Sequence, residues 1–173
     1  MRVRLAVLAS LVIAAIGLAV SALVWFGALE IPGEHEPRIA TEHVIDPATG
    51  EVRMTIPQKD GIVTLLSGPK VPVTLPQGFS LFPASRVLGN SQVKRSGGGQ
   101  DTLVTFEADA PAADVIAHYR DQAQAAGFAV SLEAETGDTR IFVGERGGTK
   151  LTATATQGTP TTGQLIIAAR PTG

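Results

Sequence analysis

Apolar and polar positions alternate in three regimes along the chain. From Leu5 to Leu29 no residue is charged and none is proline. At a helical rise of about 1.5 Å per residue such a run spans roughly 38 Å, more than the roughly 30 Å core of a bilayer. It predicts one transmembrane helix over 5–29, preceded by a cytoplasmic tail of residues 1–4. From Glu30 to Glu42 the apolar pattern dissolves. Two prolines, a glycine and several charges predict a tether over 30–42. Period-two alternation then takes over. Val52 to Ile56 reads Val, Arg, Met, Thr, Ile, and Ile62 to Leu66 is a second apolar run beyond the Lys59-Asp60-Gly61 turn. With a short strand at His43–Ile45 and a turn at Asp46–Gly50, these predict a small β-hairpin region over 43–70.

A segment ruled by Pro69, Pro72, Pro76 and Pro83 follows. Each proline removes a donor and restrains its neighbour, so the segment should be extended and irregular, pinned by Phe79, Leu81 and Phe82. Beyond it, Ser85–Arg95 and Thr102–Glu107 read as strands. A helix should begin at Asp109 or Ala110, with Pro111 in its first turn, and run to Ala126 before a Gly127 stop. Its apolar positions, Ala112, Val115, Ile116, Tyr119, Ala123 and Ala126, form one stripe. Strands at Phe128–Leu132, Thr139–Glu145, Thr149–Thr156 and Gln164–Ala169 complete an extracytoplasmic domain over 71–173. The connections are short, so pairing should be antiparallel. The expected fold class is α+β: one N-terminal transmembrane helix, then an antiparallel sheet covered by a single amphipathic helix (β-β-α-β-β-β-β), preceded by the small hairpin region.

Charge sets the expected topology. Arg2 and Arg4 precede the apolar run, and Glu30, Glu34 and Glu36 follow it before Arg38. The positive-inside rule then places the N-terminus inside and the C-terminal domain in the extracytoplasmic or periplasmic space, on a single-pass protein of the cytoplasmic membrane. Ser10, Ala14, Gly17 and Ser21 share one face of the run, a small-residue stripe suited to weak homo-oligomer contacts. The chain has no cysteine and a net charge of −2. That excludes a disulfide framework, a thiolate nucleophile and a lipidated cysteine, and argues against nucleic acid as a partner.

The opening LPQGFSLFPASRV, the helix TFEADAPAADVIAHYRDQAQAAGFAV and the glycine-turned strands after it carry a resemblance. Through Leu75, Pro76, Phe82, Pro83, Val87, Tyr119, Gly127 and Phe128, residues 72–157 resemble a small, uncharacterised α+β domain of bacterial envelope proteins and lipoproteins. The resemblance implies a bacterial envelope location and supplies no activity. This chain departs from the lipoprotein members in lacking the lipidated cysteine.

Candidate chemistry is sparse. Glu34, His35, Glu36, Glu42 and His43 offer metal-ligand types, but a tether supplies no rigid geometry, and the cluster reads as solvated charge. Asp114, His118 and Asp121 share the helix face opposite the apolar stripe and read as solvent-facing. Ser91-Gln-Val-Lys94 fits S-x-x-K but sits in a strand, without the companion motifs of penicillin-recognising enzymes. Gly144 to Lys150 has the composition of a phosphate loop and the setting of a hairpin. Gly97-Gly98-Gly99 is a loop with no lysine or helix after it to grip phosphate. Tyr119 reads as core, its hydroxyl reaching a sheet edge. No catalytic residue, metal or cofactor is expected. The expected function is a membrane-anchored, non-catalytic interaction or scaffold module of the cell envelope with an envelope protein as partner. The alternative is a domain that binds a small ligand or cell-wall polymer in a groove between helix and sheet.

Overall fold

The computed structural model describes residues 42–58, 61–95 and 99–169. Nine strands and one helix occur there: β1 (Glu42–Ile45), β2 (Val52–Gln58), β3 (Gly61–Gly68), β4 (Arg86–Arg95), β5 (Gln100–Ala108), α1 (Ala112–Ala125), β6 (Ala129–Thr136), β7 (Thr139–Arg146), β8 (Thr149–Thr156) and β9 (Thr161–Ala169). All nine strands form one sheet in the order β1-β2-β3-β4-β5-β9-β8-β7-β6, with every neighbouring pair antiparallel.

This corrects the expected architecture. The 43–70 hairpin is no separate region in front of an α+β domain. Val63–Gly68 of β3 pairs with Asn90–Arg95 of β4, so the described chain is mostly one wide sheet with a single helix. The physical reason is the length of β4. Ten residues give it room to pair with β3 along one side and β5 along the other. The prolines that seemed to divide the chain carry it out of the sheet plane between β3 and β4, without preventing the two strands from meeting. The membrane-spanning, single-pass reading is not supported either: among the described residues no helix is long and apolar enough to cross a membrane. The span expected over 5–29, its small-residue stripe, and the tail and tether apart from Glu42 lie outside the described residues.

The helix lies across β7, β8 and β9. Ala112, Val115, Ile116, Tyr119 and Ala123 are buried, the stripe that the 3.6-residue period selects. They meet alternate residues of the sheet: Val104, Phe106 and Ala108 of β5, Phe142 of β7, Leu151, Ala153 and Ala155 of β8, Leu165 and Ile167 of β9. The start of α1 is held from outside. Gln157, in the β8–β9 loop, accepts the Ala112 N–H at 2.8 Å, and the Thr161 hydroxyl donates to the Ala110 carbonyl at 2.6 Å. The helix ends at Gly127, at φ +79°, where the Phe128 N–H returns to the Ala123 carbonyl.

Residues 69–85 form a strap over the same face. It makes two tight turns, closed by the Phe79 N–H to the Pro76 carbonyl and the Ser85 N–H to the Phe82 carbonyl. Gly78 and Ala84 occupy the positive-φ position of each, at +91° and +55°. Val73, Leu75, Phe79, Leu81 and Phe82 pack against the main core. A smaller cluster, Val63, Leu65 and Val93 with Met54, occupies β2–β4.

Candidate functional site

Pro72 and Pro76 have no N–H to give a ladder, and the strap pairs with no strand, so its carbonyls need donors from elsewhere. The sheet supplies those donors from side chains. Asn90 Nδ2 donates to the Pro72 carbonyl at 2.9 Å and reaches the Val71 carbonyl at 3.4 Å. Gln92 Nε2 donates to the same Pro72 carbonyl, and the Thr102 hydroxyl donates to the Thr74 carbonyl at 3.0 Å. Three polar side chains on β4 and β5 thus hold the first half of the strap by its backbone. Asn90 is 1% exposed, and its Oδ1 has no hydrogen-bond partner. Turning the amide over would set that oxygen against the two strap carbonyls, so the orphan acceptor is built in.

The second half of the strap is clasped to α1. Gln122 accepts the Ser80 N–H at 2.8 Å through Oε1, and its Nε2 donates to Ser80 Oγ at 3.0 Å. The same Nε2 lies 2.6 Å from His118 Nε2. The Phe82 N–H donates to the Tyr119 hydroxyl at 3.1 Å. Rings interleave: Phe82 stands edge-on to His118 at 5.3 Å, His118 to Tyr119 at 5.1 Å, and Phe79 to Phe128 at 5.7 Å. Tyr119 is fully buried, and burial pushes its phenol up to about 12, against a small downward pull from the Phe82 N–H. At neutral pH it is an uncharged, fixed acceptor. Helix, strap and sheet therefore pack into an apolar layer with two polar stations, the Ser80–Gln122–His118 clasp between strap and helix and Asn90 beneath the first half of the strap.

The residues singled out from sequence distribute unevenly around this layer. Asp114 and Asp121 are solvent-exposed, with Asp121 3.5 Å from Arg120. His118 leaves their company: its ring packs between strap and helix, because the strap crosses that side of α1. Tyr119 is core, but its hydroxyl meets the strap, not a sheet edge. Ser91 bonds Ser67 Oγ at 2.8 Å, while Lys94, three residues on, is exposed on the other face of β4. Gly144–Lys150 is the β7–β8 hairpin, turned by Gly147 and Gly148 at φ +53° and +80°. Of the Gly97–Gly99 loop, Gly99 alone is described; of the tether cluster, the backbone of Glu42 and His43 in β1. Sequence reasoning missed Ser80, Asn90, Gln92, Thr102 and Gln122. Amides at Asn90 and Gln92, on the side of a strand that faces the core, were the available signal, as was Gln122 one turn after His118.

A START domain-like family model matches residues 88–164, from within β4 through α1 to the middle of β9. This similarity leaves β1–β3 and the strap outside the matched span. No curated protein and no solved structure matches the chain.

Proposed function

We propose that the chain is a ligand-binding module that takes a small, largely apolar molecule bearing a hydrogen-bond donor between strap, helix and sheet. The observation that carries this is Asn90 Oδ1, a deeply buried acceptor left without a partner at the floor of an apolar layer. A buried polar atom without a partner costs about 1–3 kcal/mol, and one recurrent reason to keep such an atom is a ligand that satisfies it. Apolar walls with few convergent polar groups are the usual make-up of small-molecule sites. The START-like similarity favours the same reading, since domains of that kind usually bind ligands. Competition between the hydrophobic fluorophore 1-aminoanthracene and a matched pair, dodecanol and dodecane, tests it. Dodecanol should displace the fluorophore at lower concentration than dodecane, and Asn90→Leu should erase that preference. Failure of the fluorophore to bind, or equal displacement by both compounds, would overturn the proposal.

A second reading, association with another copy of the chain, rests on β6. It is a sheet edge whose residues are nearly all exposed, with Val130 and Leu132 45% and 50% accessible.

A further inference from the structure

The Ser80–Gln122–His118 clasp tolerates one arrangement of protons. The Ser80 N–H is a backbone donor, so the Gln122 atom that meets it at 2.8 Å is the carbonyl oxygen. The atom that faces His118 Nε2 at 2.6 Å is therefore the amide nitrogen, which has hydrogens to give and no lone pair to offer. His118 Nε2 must be the bare acceptor, and the imidazole neutral with its proton on Nδ1. A second proton on the ring sets two donors against each other. Rotating the amide to meet the cation with its oxygen would instead turn the NH2 against the Ser80 N–H. The clasp cannot satisfy both.

Among the described residues no charged group bonds the imidazole in place of the clasp. Residues 71–85 contain no titratable side chain, and the ring of Phe82 covers His118 from the strap. On α1 itself, Asp114 stands four residues before and Asp121 three after, both exposed and neither bonded to the imidazole. Their charge favours the cation without repairing the clasp. The Tyr119 hydroxyl already accepts the Phe82 N–H.

We infer that His118 is a proton-operated latch: its protonation undoes the Gln122–Ser80 clasp and releases the Gly78–Ser85 part of the strap from α1. The released form holds one more proton than the latched form. By linkage the latch is therefore set at higher pH and is lost on acidification. This inference does not depend on whether a ligand binds beneath the strap.

Nitrogen-15 spectroscopy of the full chain tests it, reading the ring nitrogens of His118 and the exchange protection of the Ser80 and Phe82 amides. At pH 7 the ring should be the Nδ1–H tautomer. Between pH 7 and 5, protection at Ser80 and Phe82, corrected for intrinsic exchange, should fall about tenfold, while that of β8 and β9 stays constant. Gln122→Glu replaces the amide by a carboxylate that accepts from both the Ser80 N–H and the imidazolium, and should retain protection across the range. His118→Ala should give a profile with no pH step. An Nε2–H tautomer at pH 7, a flat profile in the unsubstituted chain, or the same acid loss in Gln122→Glu would overturn the latch.

Discussion

Tyr119 shows how much one side chain fixes. It is the single tyrosine of the chain, fully buried, and its ring is tilted against Phe106 at 5.9 Å. Its phenol is raised to about 12 in the folded state, against about 10 in an unfolded chain. The folded state therefore keeps this proton where the unfolded state has lost it. The associated stability is complete below pH 10 and disappears as pH rises towards 12. Phenolate absorbance reports this residue alone, so the expectation is direct: ionisation near pH 12 when folded and near 10 in denaturant. A folded-state midpoint near 10 would show that the ring is not held as described. Tyr119→Phe removes the acceptor of the Phe82 N–H and should cost about 1–2 kcal/mol in denaturant unfolding.

Among the elements, the β5–β9 pairing is the most tightly specified. Gly163 faces Phe106 across the ladder, and a Cβ placed there would lie 2.3 Å from the end of the ring. The ring is fully buried against Tyr119 and has nowhere to go. Gly163→Ala should destabilise by about 1–3 kcal/mol, the usual penalty of overpacking, read as a lower urea midpoint at unchanged slope. An unaltered midpoint would mean that the ring yields. Legibility in the sequence also divides by element. The α1 stripe and the glycine-turned hairpins are local patterns, visible wherever period and turn chemistry agree. The joining of β3 to β4 is not local: a proline segment intervenes, and nothing in the alternation of Ile62–Leu66 names its partner. The clasp was hidden for the same reason. Ser80 and Gln122 are 42 positions apart, and no short motif links a strap to a helix it has yet to meet.

At the scale of the molecule, the sheet of the described residues has two edges, β1 and β6. Leu132 is the exposed apolar residue at the middle of the β6 edge. If copies associate there, Leu132→Lys should shift sedimentation towards the monomer while changing stability by less than about 0.5 kcal/mol. An unchanged association constant would remove β6 from consideration. The strand order holds a further consequence. Every ladder except one joins strands adjacent in sequence; β5 with β9 is the exception, matching Ala108 to Thr161 with the helix and three strands between them. The sheet is thus two meanders, β1–β5 and β6–β9, stitched along a single seam. Apart from the 69–85 strap between β3 and β4, each meander closes through short loops, but the seam must wait until α1 has turned the chain back. The speed of folding is therefore set at one place, and damage at Gly163 or Phe106 should slow refolding out of proportion to the contacts it removes.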